Sequence, residues 1–140
     1  MGAIEVGPSF SKALAGVHGG WFLFLILEAS LSSTQVPSWS FWLGLCLALT
    51  GQLLRRSALT ALGERWVMVN LVVPGERRIE TGPYRWVRHP NYLGVSLELV
   101  GFPLIWGAHL TAVWGVIAYL AILARRLKFE EKALAEHTRP

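Results

Sequence analysis

Charge is scarce in this sequence. Asp, Glu, Lys and Arg make up 16% of its 140 residues, against about 25% in an ordinary soluble domain. Aspartate is absent, and Cys46 is the one cysteine. A single cysteine excludes an internal disulfide and a cysteine-based zinc cluster, and no metal site is expected. Few charges together with 53% hydrophobic residues exclude a disordered chain and an ordinary soluble globule. The charges present are also unevenly spread. Between Lys12 and Arg55 there is only Glu28, and between Arg88 and Arg125 only Glu98. Each interval has room for two segments of the about 20 apolar residues that cross a bilayer. The length suits one domain.

The expected fold is therefore all-α and integral to the membrane. It has four transmembrane helices in two hairpins, a cytoplasmic cofactor-binding loop and a C-terminal helix extension. The spans are expected at about 13–31, 38–56, 91–106 and 109–126, with a cytoplasmic segment over 63–90. The first apolar stretch has no clear small-residue cleavage site beyond it and reads as a span, not a signal peptide. Gly16 and Gly20 form a small-xxx-small pair that would allow close helix contact. Ser38 reads as an N-cap, Trp39 and Trp42 as interfacial aromatics, and Gly63 as a C-terminal stop. Trp66 to Val73 is apolar and β-branched, closed by the turn Pro74-Gly75. Pro90 suits a first helical position, Pro103 should bend or end the third span, and Gly107-Ala108 suits a tight turn. The fourth span should continue as a polar helix through Arg126, Glu130 and Leu134.

The net charge of +4 is concentrated. The stretch from Arg55 to Arg88 and the tail from Arg125 hold all but one of the basic residues, and that one, Lys12, precedes the first span. The turns at 32–38 and 107–109 hold none. The positive-inside rule then places both termini and the long loop in the cytoplasm. Basic residues beside apolar spans point to anionic lipid headgroups as partners, not nucleic acid.

The clustered polar residues fall on that same side. Gly82-Pro83-Tyr84-Arg85-Trp86-Val87-Arg88-His89-Pro90-Asn91-Tyr92 enters the third helix, and Glu130-Glu131 lies on the helix leaving the fourth. The free N–H groups at a helix start attract a ligand's carboxylate. An acidic residue opposite would take an ammonium or ribose hydroxyls, and Tyr84, Trp86 and Tyr92 offer flat faces to a base or a sulfonium. The combination suits a zwitterionic nucleoside such as S-adenosylmethionine.

The run Gly-Pro-Tyr-Arg-Trp-Val-Arg-His-Pro-Asn-Tyr-Leu-Gly at 82–94, followed by two apolar spans and then Arg126 and Glu130-Glu131, resembles the isoprenylcysteine carboxyl methyltransferase family. These membrane enzymes use S-adenosylmethionine and are related to phospholipid methyltransferases. The resemblance covers about Leu53 to Glu136. It implies that Tyr84 contacts the cofactor and that His89, Pro90, Asn91 and Tyr92 line its pocket. It implies further that Arg78 and Ile79 lie against the cofactor, that Glu130 binds it, and that Arg126 stands at the substrate. The stretch from Gly63 to Gly75 is similar to bacterial members that act on long-chain phenols or pyrones, so a bacterial inner membrane is the expected location.

Several roles stay open at this level. His89 is a candidate general base, or a structural residue whose backbone meets the cofactor. Arg126 and Glu130, four apart on one helix, form either a site or an exposed ion pair. Glu98 is the candidate acceptor-site carboxylate, and Glu28 an intramembrane carboxylate of unassigned role. The acceptor is a lipophilic or prenylated molecule methylated on a carboxylate or phenolic oxygen, with a phospholipid amine also fitting a greasy pocket. A homo-oligomer is compatible with so thin a bundle. The competing reading is a four-helix proton-coupled transporter using Glu28.

Overall fold

A computed structural model of the chain describes residues 4–5, 8–33, 35–63, 71–72 and 80–137. Four helices dominate: α1 (Pro8–Leu31), α2 (Ser38–Leu62), α3 (Pro90–Ile105) and α4 (His109–His137). A 3-10 helix, Gly82–Arg85, precedes α3. The all-α expectation needs one small correction. β1 (Ile4–Glu5) pairs antiparallel with β2 (Leu71–Val72), Ile4 opposite Val72, which uses part of the β-branched stretch.

The helix ends follow local chemistry. Gly63 stops α2 with φ 53, its N–H bonded to the Leu59 carbonyl, a conformation glycine adopts at little cost. Pro90 begins α3, where its missing N–H has no consequence. Pro103 sits inside the last turn of α3, and Gly107, φ 71, turns the chain into α4. Ser38 is not the N-cap of α2. Pro37 holds that position with extended dihedrals and Ser38 is the first helical residue.

Of the two expected hairpins, α3–α4 is packed, while α1 packs chiefly on α4 and, among the described residues, not on α2. α2 packs on α3, α3 on α4, and α4 on α1. Extensive α1–α2 packing is absent among the described residues. α1 and α4 run antiparallel along their whole length, with Phe10 against Phe129, His18 against Tyr119 and Phe24 against Trp114. Trp21 is buried where α1, α3 and α4 meet, and its indole N–H donates to the Leu99 carbonyl (3.2 Å). Gly115 makes the space, since a Cβ there would lie 2.3 Å from the ring. Leu99, Tyr119 and Leu123 complete this core.

The α2–α3 seam is closer still. A Cβ on Gly44 would meet the Gly101 carbonyl at 2.6 Å, and one on Gly101 would meet the Ala48 nitrogen at 2.6 Å. Gly51 and Gly94 repeat the arrangement seven residues along each helix. Small residues in register let two backbones touch, and dispersion then does what hydrophobicity does in water. The pair singled out in the sequence does not do this: Gly16 faces open space and Gly20 meets only Trp114, at 3.6 Å.

The turns at 32–37 and 106–108 share one end of the bundle, where polar contacts tie all four helices. Glu28 of α1 accepts from the Leu110 N–H (2.9 Å), the Thr111 N–H (2.8 Å) and the Thr111 hydroxyl (2.6 Å). A carboxylate from one helix thus caps the start of another, satisfying donors that α4 leaves open and meeting the positive end of its dipole. The Ser40 hydroxyl of α2 donates to the Leu104 carbonyl of α3 (2.8 Å) and stands 3.0 Å from His109 Nε2. Trp39 stacks on that imidazole. The opposite end holds the long connection from α2 to α3.

Two helical stretches, Phe10–Leu31 and His109–Phe129, are long and apolar enough to cross a membrane. α3 has 16 residues, about 24 Å at 1.5 Å per residue, and α2 carries Arg55 and Arg56 in its last third. Phe22, Leu23, Phe24, Ile26 and Leu27 of α1 and Val113, Ile117 and Leu120 of α4 are all exposed, an apolar collar of the kind lipid covers.

Replacing Gly101 by Val is expected to destabilise the bundle by about 1–3 kcal/mol or more through backbone overlap, while Gly16→Ala leaves it unchanged. Thermal unfolding in one detergent, run on both variants, checks the contrast. Glu28→Ala is expected to cost about 0.5–2 kcal/mol, as loss of a cap does, read as a lower melting temperature.

Candidate functional site

The segment leading into α3 is anchored on α2. Gly82 adopts φ 58 and lies so near α2 that an added Cβ would be 3.2 Å from Ala61 Cβ. The 3-10 turn then closes through the Pro83 carbonyl, which accepts from the Trp86 and Val87 N–H groups (3.1 and 3.0 Å). Tyr84 is half-buried, and burial holds its phenol above the ordinary tyrosine range, so it stays a neutral O–H donor at physiological pH. The Arg85 guanidinium lies over the exposed Trp86 ring. Glu80, Tyr84, Arg85, Trp86, Val87 and Arg88 line a pocket of about 560 Å³, within the roughly 300–1,000 Å³ of small-molecule sites.

At the start of α3, Pro90 is buried, Asn91 and Tyr92 are half-buried and His89 is exposed. His89 makes no side-chain cap to the helix. Its carbonyl accepts from the Leu93 N–H (3.1 Å), and its ring stacks on Tyr92 at 5.5 Å. The first amides of α3 therefore have no side chain of the N-cap residue upon them. Asn91 Oδ1 is buried and, among the described residues, has no hydrogen-bond partner. A buried unpaired acceptor costs about 1–3 kcal/mol, which a ligand N–H would recover.

Arg126 of α4 closes the site. Its side chain is 5% exposed and its guanidinium lies over the Tyr92 ring, 5.6 Å from the centroid, a cation–π contact strengthened by desolvation. Tyr119 of α4 is buried in the core with Trp21, Leu99 and Leu123, and Tyr92 packs against that cluster. Glu98 accepts from an Arg55 terminal N–H at 2.8 Å.

The structure thus brings together His89, Pro90, Asn91, Tyr92 and Arg126, which are separated by more than thirty positions in sequence. Tyr84 lines the pocket formed with Glu80 and residues 85–88. Glu130 follows Arg126 by one turn of α4, and its side chain lies outside those described. Arg78 and Ile79 lie outside the described residues. Glu98 is drawn into an ion pair with α2. Sequence reasoning missed Arg55, which looked like the end of a span. The available signal was the echo of Gly51-x-x-x-Arg55 in Gly94-x-x-x-Glu98.

Comparison with known proteins bears on the same region. The model of the isoprenylcysteine carboxyl methyltransferase (ICMT) family matches residues 42–136, from α2 to the end of α4. The chain is 40% identical over 139 residues to the uncharacterized protein YpbQ of Bacillus subtilis (strain 168), covering 99% of this chain and 82% of that protein. It is 32% identical over 135 residues to an uncharacterized protein of Haemophilus influenzae, covering 96% and 78%. The protein-S-isoprenylcysteine O-methyltransferase of Xenopus laevis is 26% identical over 119 residues, 81% of this chain but 40% of the frog enzyme. No solved structure matches significantly. With the matched span running through the α2–α3 seam, the α3 start and Arg126, the chain belongs to the ICMT family of membrane methyltransferases.

Proposed function

We propose that the chain is an S-adenosylmethionine-dependent O-methyltransferase that methylates a carboxylate or phenolic oxygen of a lipophilic acceptor within the membrane. The observation that carries this reading is the stacking of buried Arg126 on Tyr92 beside an uncapped α3 start, inside the matched family span.

The residues present fit the cofactor. Its carboxylate needs donors, which the first amides of α3 offer with the helix dipole behind them. Its amino groups need an acceptor, and Asn91 Oδ1 is buried without one among the described residues. A sulfonium favours an aromatic face, and Tyr84 on the pocket wall is the residue placed to offer one. Glu130, one turn beyond Arg126, is placed on α4 to add a carboxylate. When bound, S-adenosylmethionine supplies a methyl group on a positively charged sulfur.

The chain's own residues then have three tasks. Arg126, desolvated, draws an acceptor oxygen toward the site and favours its ionised form. His89, exposed at the entrance, is placed to take the proton of a phenolic acceptor, whereas a carboxylate needs no base. The packed helices exclude water and hold the acceptor in line, where most of the rate of such a transfer arises.

The positive-inside rule orients this end toward the cytoplasm, with all four helices crossing the bilayer. A soluble cofactor then enters from one side and a greasy acceptor from the bilayer. The transporter reading relied on a free Glu28, and that carboxylate is engaged by three donors at the α4 start.

Calorimetry on the protein in lipid nanodiscs, titrated with S-adenosylhomocysteine, tests the reading. Saturable binding is expected, weakened about tenfold or more by Asn91→Ala or Glu130→Ala, as loss of a hydrogen bond to a charged group implies. Absence of binding, or binding indifferent to both changes, contradicts it.

A further inference from the structure

The α2–α3 seam holds two glycine pairs. Gly44 and Gly101 bring backbone to backbone. Gly51 and Gly94 do the same and also make room for charge: a Cβ on Gly94 would meet Arg55 Cγ at 2.5 Å, and one on Gly51 would meet Glu98 Cγ at 2.9 Å. Each helix thus carries a glycine and, one turn on, a charged residue. The two antiparallel helices place the charge of one against the glycine of the other.

The resulting pair is only half satisfied. Arg55 Nη1 donates to Glu98 Oε2 at 2.8 Å, with the two side chains 36% and 10% exposed. Glu98 Oε1 and Arg55 Nε are buried and, among the described residues, have no hydrogen-bond partner. Stability does not explain this. A buried ion pair is often no better than well-packed apolar residues, and each orphaned atom adds a desolvation cost. Position offers the explanation. Arg55 lies against Gly94, two residues past Tyr92 on α3. Glu98 also stands two turns of α3 beyond Tyr92, about 9 Å deeper along the helix.

We propose that Arg55 and Glu98 form the polar subsite at the membrane-buried end of the acceptor pocket. Glu98 Oε1 accepts a hydrogen bond from the acceptor's head and Arg55 Nε–H donates one to it, while Glu98 Oε2 holds the guanidinium in place. The ligand class follows from the two atoms. It is a lipophilic molecule with a hydroxyl or amide beside the oxygen that receives the methyl, a group able to donate and accept at once. A quaternary ammonium can neither donate nor accept, and a fully ionised phosphate accepts from Arg55 but has no hydrogen to donate to Glu98. The inference rests on the methyltransferase reading, and the two can fail separately.

The test uses the protein in nanodiscs as wild type, as Glu98→Gln and as the double variant Arg55→Met with Glu98→Leu. Melting temperature, S-adenosylhomocysteine affinity by calorimetry, and label transfer from methyl-labelled S-adenosylmethionine into bacterial lipid extract are measured on each. The double variant is expected to melt no lower than wild type and to bind S-adenosylhomocysteine as tightly. The extract concentration for half-maximal labelling should rise about tenfold or more, with a smaller change in the plateau. Glu98→Gln, which keeps the shape but only one acceptor oxygen, should show a smaller rise in the same quantity, and it carries the test if the double variant fails to fold. An unchanged half-maximal concentration in a folded variant, or lost S-adenosylhomocysteine affinity, overturns the proposal and leaves the pair a packing feature. If wild type binds no S-adenosylhomocysteine, the methyltransferase reading fails first and the subsite with it.

Discussion

Backbone contact between α2 and α3 is the constraint on which the rest of the molecule depends. Gly44, Gly51, Gly94 and Gly101 remove the side chains that would hold the helices apart. Within lipid there is no water to expel from between helices, so close approach over a long contact must supply the attraction. That seam fixes where α3 begins. It sets the Pro90–Tyr92 turn against α2 through Gly82 and Ala61, and so fixes the height at which Arg126 of α4 meets Tyr92.

The polar residues then sort by end. At the turn end, Glu28, Ser40 and His109 meet donors and acceptors of other helices, and their role is to tie the bundle. At the other end polar atoms are left for something else. Asn91 Oδ1, Glu98 Oε1 and Arg55 Nε are buried without partners among the described residues. Native proteins leave few such atoms. Trp114 Nε1 is a fourth such atom; the three on α2 and α3 are those the proposed site uses.

The sequence made some of this legible. Helix bounds were close because charge gaps and Pro or Gly punctuation are local signals. Pro90, Gly63 and Gly107 stand where their backbone chemistry requires. The motif from Tyr84 to Tyr92 was readable because its members are contiguous. The packing order was not. A membrane helix is apolar toward lipid and protein alike, so no stripe says whether α1 meets α2 or α4. Gly16 and Gly20 looked as suitable for contact as Gly44 and Gly51, and only the seam separates them. Glu28 looked like a functional intramembrane carboxylate because its partners, the first amides of α4, are tertiary neighbours. Arg55 was hidden for the same reason, its meaning residing in Gly94 and Glu98 on another helix.

Membership of the ICMT family supports methyl transfer, and the lipid-soluble acceptor is the part of the proposal still to be tested. The most direct measurement incubates membranes containing the protein with methyl-labelled S-adenosylmethionine and lipid extract, and identifies labelled products by mass spectrometry. A labelled methyl ester or aryl methyl ether of a lipophilic molecule, lost with Arg126→Ala, is the predicted result. No protein-dependent label in any lipid fraction, or equal labelling by the Arg126 variant, would contradict the account.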